Sequence, residues 1–369
     1  MTALYVGLMS GTSMDSIDAV LVDCYATTPH VVATHSKLWP ETLRKQLAQA
    51  QQLDDQAIFH LDELDRAVAQ NFAAATIELL SLTNTRSDEI IAIGSHGQTI
   101  RHRPHADPPF SLQLGSGQII AELTGIRTVS DFRRADIEAG GEGAPLAPAF
   151  HNAVLRNNNE NRCVINIGGI ANITVLPADT AEPATGYDIG PGNSLMDGWI
   201  QRHRSMPYDN EGEWARSGQI DRALLARFKT DDYFLQPPPK STGFEYFNQD
   251  WLKQYRVDLL PAEDVQATLS ALTADTIEEA IRTGDIDIDQ VLICGGGAHN
   301  IYCLELLQKR LGNIPVESTE RCGLHPDWVE AMAFAWLAQC HIEGEPGNLP
   351  SVTGAREAVV LGTLNASDI

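Results

Sequence analysis

The first apolar positions of the chain come in short, nearly unbroken runs. Leu4–Met9 and Ile17–Cys24 are too short for helices and apolar on both alternating faces. They predict strands covered on both sides, and residues 30–38 predict a third. The loop between the first two, Ser10–Ser16, holds Gly, Thr and Ser with one carboxylate, Asp15; a second, Asp18, lies inside the next apolar run. The period then changes. Ile58, Leu61, Leu64, Val68 and Phe72 recur at three or four, which predicts helix over most of 41–83. Ile90–His102 reads as a buried strand running into a Gly/His loop, Phe110–Gly115 as a strand, 116–125 as a short helix and Arg127–Phe132 as another strand.

Arg133–Pro148, rich in Gly, Ala and Pro, breaks the pattern. It sets the expected domains at 1–132 and 133–369, with the last segment free to pack back on the first. Cys163–Pro177 is again strand, Gly-rich turn, strand, about 155 residues after the first such unit, which predicts an internal duplication. Gly186–Ile200 is a strand end, a tight turn and a helix start. Residues 205–248 read as a long irregular stretch of the kind that is often functional. A helix over 261–283, a strand plus loop over Val291–Asn300 and helices over 301–311 and 326–341 complete the pattern before the tail Gly354–Leu364.

Composition narrows the function. The 369 residues carry a net charge of -23, which disfavours polyanionic partners, so neither nucleic acid nor an anionic membrane is expected. No apolar run reaches the length of a membrane span, and the N-terminus has no basic region of a secretory signal. The six cysteines form no CxxC pair, and Cys24, Cys163 and Cys294 sit in apolar runs as buried thiols, which fits a reducing cytoplasm.

Four Gly-rich loops each follow an apolar strand: Ser10–Ser16, Gly168–Asn172, Gly190–Asn193 and Gly295–Asn300. One such loop is commonly a tight turn. Four, each beside Asn, Asp, Ser or Thr, favour phosphate binding through backbone N–H groups. The chain has no GxxxxGK[ST] and no GxGxxG after a strand, so P-loop and Rossmann readings fail. A nucleotide held between two duplicated domains remains.

That plan resembles the superfamily of sugar kinases, actin and heat-shock ATPases. "GLMSGTSMDSIDAVLVD", "SHGQTIRH", "DFRRADIEAGGEGAPLAP", "NIGGIANIT", "DIGPGNSLMD", "PPKSTGFEYF" and "CGGGAHN", in that order from residue 5 to about 362, resemble the anhydro-N-acetylmuramic acid kinase family. Two positions depart from the family pattern: Ser16 stands where Gly is expected, and Phe244 where Arg is expected. The resemblance implies an α/β fold of two ribonuclease-H-like domains around an interdomain ATP cleft that closes on its substrates. It implies a cytoplasmic homodimer using ATP and Mg²⁺. The reaction would cleave the 1,6-anhydro bond of anhydro-N-acetylmuramic acid with water and phosphorylate O6, in peptidoglycan recycling.

The chemistry requires one base to activate water, since phosphorus captures the leaving O6 where a glycosidase would supply an acid. Asp188, at a strand end before "GPGN", is the candidate; as a bare residue it reads equally well as a turn Asp capping the next helix. Gly11, Thr12, Ser13, Met14, Asp15, Ser16, Ile17 and Asp18 are expected around the ATP phosphates. Asp15 or Asp18 would stand near Mg²⁺, directly or through water. As a carboxylate in an apolar run, Asp18 needs a polar partner or a metal. Gly168, Gly169 and Asn172 form the second nucleotide loop, and Gly295, Gly296, Gly297 and Asn300 are expected against adenosine. Arg133 is the candidate clamp for the lactyl carboxylate, with Arg134 its weaker neighbour and Asp131 ordering it or the metal shell. His96, Gln98, Thr99, Gly190, Asn193 and Glu330 are candidate sugar contacts, although His96 alone reads as readily as a structural histidine and Glu330 as a solvated one. His102 and His105 form HxxH without a third ligand at metal spacing. The alternatives are a related kinase or ATPase for another amino sugar, and a sugar-sensing regulator, which would need a DNA-binding head.

Overall fold

Strands β1 (Leu4–Met9) and β2 (Ser16–Asp23) pair antiparallel, with Met9 opposite Asp18, and β3 (His30–Leu38) adds to the free side of β2. Ile17, Ala19 and Leu21 of β2 enter one core while Val20 and Val22 are buried on the other face, which explains its unbroken apolar run. Helices α1 (Glu41–Ala50) and α2 (Asp62–Thr83) follow. Next come β4 (Ile90–Ser95), the hairpin β5 (Gln98–Arg103) and β6 (Phe110–Leu114), α3 (Gly117–Thr124) and β7 (Thr128–Ser130). Helices α4 (Arg134–Glu138) and α5 (Ala147–Leu155) complete the first part of the chain. These coordinates are a computed structural model, which describes residues 2–11, 14–26 and 28–366.

The next segment repeats the plan. Strands β8 (Arg162–Ile167), β9 (Ile170–Leu176) and β10 (Thr185–Pro191) form an antiparallel meander. Helix α6 (Ser194–Arg204) leads into four short helices: α7 (Glu213–Ser217), α8 (Arg222–Phe228), α9 (Asp232–Leu235) and α10 (Gln249–Lys253). The long α11 (Ala262–Arg282), β11 (Gln290–Cys294), α12 (Ile301–Leu311) and β12 (Val316–Ser318) follow. The expectation of an irregular 205–248 is therefore corrected. Asp221 and Asp231 cap α8 and α9 by accepting from backbone N–H groups, and Trp214, Phe228 and Tyr233 anchor the segment in an aromatic core. These helices are too short to display a period.

The chain ends with α13 (Val329–Glu343), α14 (Pro350–Thr353) and β13 (Thr363–Asn365). Two units result, Met1–Val154 with Trp328–Ile369, and Leu155–Asp327. The boundary falls between Val154 and Leu155 and not at the break beginning at Arg133. The reason is Asp136, fully buried in α4. It accepts from Gly143 N–H (2.7 Å), Asn348 Nδ2 (2.6 Å) and the Thr353 hydroxyl (2.7 Å), which ties the Gly-rich break to the first unit.

Strand order is β13-β7-β4-β1-β2-β3 in the first sheet and β10-β9-β8-β11-β12 in the second. Apart from the added β13, each sheet is a three-stranded antiparallel meander continued by two parallel strands from its first strand. This is the duplicated ribonuclease-H-like α/β plan.

Helix α13 is apolar nearly all round and buried accordingly. It lies directly on the backbone of β1 and β4. A Cβ built on Gly7 would stand 1.9 Å from the Ala331 carbonyl oxygen, and one on Gly94 1.9 Å from that of Phe334. Neither backbone oxygen can retreat without moving the helix. Gly94→Ala is therefore expected to cost about 3 kcal/mol or more. Gly125→Ala, at φ +70° with nothing within 4 Å, should lose only about 1 kcal/mol. Urea unfolding midpoints test this, and equal losses in the two variants would refute the close-packing account.

Candidate active site

In the first unit, the opening loop is closed by its own polar groups. Ser10 Oγ donates to the Ser16 carbonyl (2.9 Å) and accepts from Trp39 Nε1 (3.0 Å). Met14 N–H bonds Gly11 O (3.1 Å), and Met14, at φ 54°, turns its side chain into the core beside Ile17. Thr12 and Ser13 lie outside the described residues. Asp15 is exposed. Asp18 is half-buried and its Oδ1 accepts from the Ser16 hydroxyl (3.0 Å) and the Ser36 hydroxyl, so the polar partners it required are serines of its own and the neighbouring strand. Gln98, fully buried, donates to Gly11 O (3.2 Å) and so holds the loop from beneath. Thr99 is engaged by Gln113 at 3.3 Å.

Around the end of β4 lies a second group. Arg133 donates through Nη1 to Gly143 O (2.7 Å) and through Nη2 to His96 Nε2 (2.8 Å). Because Nε2 accepts, the imidazole is neutral with its proton on Nδ1. Burial and then the Arg133 charge hold the His96 pKa well below the ordinary value. Its ring packs against Phe334 of α13 at 4.7 Å. Burial pushes the Arg133 pKa down to about 10, with Glu330 and Asp136 favouring its charge, so the guanidinium stays cationic at neutral pH. Four buried polar atoms here have no hydrogen-bond partner among the described residues: Ser95 Oγ, His96 Nδ1, Gln98 Oε1 and Arg133 Nε. Leaving such atoms unmet costs about 1–3 kcal/mol each, which is the mark of a site built for a polar ligand. Glu330 is exposed in the first turn of α13 and acts on Arg133 through its charge.

Other expected neighbours are committed elsewhere. Asp131 pairs with Arg134 at 2.7 Å and does not order Arg133. His102 Nδ1 meets Ser111 Oγ at 3.0 Å and His105 meets Glu142 at 3.5 Å, so HxxH does not act as a metal pair.

In the second unit, strand register sets Asp188, Asn172 and Asn166 side by side on one face across β10, β9 and β8. A bulge between Asp188 and Gly190 ends the regular pairing. Asp188 is half-buried; its Oδ2 accepts from the Ser241 hydroxyl (2.9 Å) and Thr242 N–H (3.1 Å). Neither helix capping nor a simple turn accounts for these partners. Asn166 Oδ1, buried and unpartnered among the described residues, lies beneath Gly295, whose Cβ would stand 2.2 Å from it. Sequence reading passed over Asn166; its cross-strand match to Asn172 in "NIGGIAN" was the available signal.

Two of the glycine loops bond each other. Gly192 and Ser194 N–H donate to Gly169 O (2.9 and 3.1 Å), and Asn193 N–H donates to Gly168 O (2.8 Å). The expectation that Gly190–Asn193 offers free N–H groups to an anion is corrected on this point. Phe244 covers Gly169 and Phe234 covers Gly190, at 2.3 and 2.8 Å from a built Cβ. The third loop opens on a pocket of about 600 Å³ lined by Asn193, Asp197, Tyr208, Glu211, Gly296 and Asn300, among others. That volume suits a nucleoside-sized ligand, and its carboxylates and amides can meet ribose hydroxyls and a base edge. Gly297 packs on Ile167, and Asn300 caps α12 by accepting from Cys303 N–H (3.1 Å). Asn300 thus shapes the pocket through the helix it starts. His299, also on the lining, is fixed by Asp327 at 2.7 Å.

Among the described residues no group of three or more His, Cys, Asp or Glu side chains could hold a metal, and no helix is long and apolar enough to cross a membrane.

A family model described as anhydro-N-acetylmuramic acid kinase matches residues 3–367. Curated proteins of that name are similar across nearly all of the chain. One from Coxiella burnetii is 46% identical over 98% of this chain and 96% of its own length. One from Xylella fastidiosa is 49% identical over the same shares. One from Shewanella amazonensis is 46% identical over 98% of both.

The buried histidines of the first unit give a pH prediction. Burial lowers His102 and His151 to about 4, and His96 shifts the same way. The unfolded chain binds protons on them first as pH falls below about 6.5, so the folded state loses stability there. Each contributes up to about 1.4 kcal/mol per pH unit until it protonates in place. Urea midpoints should fall steadily between pH values of about 6.5 and 5, with a shallower slope in His102→Gln. A flat profile would contradict the buried neutral state.

Proposed function

We infer how the site works from one premise: the chain belongs to the anhydro-N-acetylmuramic acid kinase family. It is an ATP-dependent sugar kinase that opens the 1,6-anhydro ring of anhydro-N-acetylmuramic acid with water and phosphorylates O6, giving N-acetylmuramic acid 6-phosphate for peptidoglycan recycling. The roles of individual residues are the proposal. Two observations carry it, one in each unit: the set of unmet buried polar atoms around Arg133, and the doubly hydrogen-bonded carboxylate of Asp188.

Asp188 takes the proton from the attacking water as its oxygen bonds to C1. The C1–O6 bond breaks, O6 attacks the terminal phosphorus, and ADP leaves. The two donors on Oδ2 stabilise the carboxylate form and fix its plane, as a base requires. Arg133 binds the lactyl carboxylate. His96 and Gly143 hold its Nη atoms, and the unpartnered Nε faces a ligand acceptor. His96 is thus a positioning residue, whereas Ser95 and Gln98 bond the sugar. The second unit's pocket takes adenosine between Asn193, Gly296 and Asn300.

Magnesium, when bound, neutralises phosphate charge and orients the transferred group. The donor set fits: Asp15 or Asp18 would hold it together with phosphate oxygens and waters, since Mg²⁺ does not need an all-protein cage. A homodimer and a cytoplasmic location belong to the same proposal and rest on the family resemblance.

Product analysis in ¹⁸O-labelled water tests the base. Wild type should give a 6-phosphate sugar labelled at C1, and Asp188→Asn should lose at least about 10³-fold in kcat. Full activity in that variant would move the base elsewhere. Arg133→Lys should raise the KM for the sugar about 10- to 100-fold with the KM for ATP unchanged. An unchanged sugar KM would remove Arg133 from the carboxylate site.

A further inference from the structure

Asp188 is wrapped by a single segment. Its N–H donates to the Lys240 carbonyl (3.0 Å), and its carbonyl accepts from the Tyr233 hydroxyl (2.6 Å). Lys240 donates to the Tyr233 carbonyl (3.0 Å) and sits 4.6 Å from the centre of the Tyr233 ring. The path from 233 to 242 is therefore fastened to the main chain of β10 before any side chain of residues 241–242 is considered. Onto this framework Ser241 adds a hydroxyl at 2.9 Å from Asp188 Oδ2. Ser241 is exposed, belongs to no hydrophobic cluster, and is not needed to hold the segment in place.

We propose that Ser241 is a positioning residue for Asp188: its hydroxyl, together with Thr242 N–H, fixes one carboxylate oxygen so that the carboxylate meets the attacking water in a single orientation. The inference rests on the reading of Asp188 as the base. A rotor at Cβ–Cγ held by one donor still swings; held by two donors on the same oxygen, its plane is set. Both bonds are charge-assisted in the ionised state and lost in part when the carboxyl is protonated. Removing one donor therefore disturbs orientation and protonation together, which a merely structural serine would not do.

The other titratable groups packed here are Tyr187, Tyr233 and Lys240. Burial raises both phenols, further for Tyr233 through the Asp188 charge, and burial lowers Lys240. The two phenols move away from the acidic limb of the rate profile, on which the Asp188 carboxylate is expected to report.

The test is the pH dependence of turnover of the full-length enzyme with ATP, Mg²⁺ and anhydro-N-acetylmuramic acid for wild type, S241A, S241T and D188N. S241A should lose about 10-fold in kcat and move the acidic limb of kcat/KM upward by about half to one pH unit, with the KM for ATP unchanged. S241T, which keeps the hydroxyl, should restore both. Thermal unfolding of S241A is expected to match wild type, because only an exposed hydroxyl is removed. An acidic limb in S241A that coincides with wild type, while D188N is inactive, would overturn the role of Ser241 and leave the base in place. Full turnover by D188N would instead overturn the base assignment on which the inference stands.

Discussion

Two strands of the first unit have no side chain where α13 crosses them, and the rest of that unit's site depends on this. With Gly7 and Gly94 bare, the helix backbone sits on the sheet backbone. That depth brings the Phe334 ring to His96 at 4.7 Å and the first turn, with Glu330, within electrostatic reach of Arg133. Any side chain at either glycine would lift the helix, and the aromatic contact that pins the imidazole would open with it. The imidazole in turn holds one Nη of Arg133, and Gly143, fixed by buried Asp136, holds the other. The guanidinium is oriented by neutral groups, so its charge is not spent on a partner carboxylate at bonding distance.

The second unit reaches order by another route. Its loops are not tethered by a covering helix but by one another: the carbonyls of Gly168 and Gly169 accept from the start of α6, and Gly192 is bare because a Cβ there would meet Gly168 O at 2.3 Å. Glycine at these positions serves close approach of one loop to the next as much as approach of backbone to a ligand. Aromatic rings from residues 234 and 244 complete the cover. Phe244 therefore fills space over Gly169 where a cation was expected, and the apolar ring shields the turn from water.

Much of this was legible in the sequence. The strands, the long helices and the duplication followed from apolar runs and their period, and the family motifs pointed to Arg133 and Asp188. What escaped the reading depended on contacts far apart along the chain. The unit boundary turned on Asp136 meeting Asn348 and Thr353, more than two hundred residues away. The 205–248 segment looked irregular because its helices are each about one or two turns long and are held by caps and buried aromatics, with no stripe to read. The Asn166–Asn172–Asp188 row is a property of register, which appears only when strands are paired.

The first unit is discontinuous: it opens the chain and closes it, with the second unit inserted as one unbroken stretch. A ribosome therefore delivers every residue of the second unit before it delivers α13. During synthesis the later unit is the one able to reach its final form first, while β1 and β4 wait with bare glycines exposed and β7 waits for its outer partner β13. Arg133 and His96, made early, acquire their aromatic support only after the whole second unit has been made. Assembly of the Arg133–His96 pair is thus tied to delivery of α13, so a chain stopped before residue 329 carries the second unit's pocket without a finished first unit.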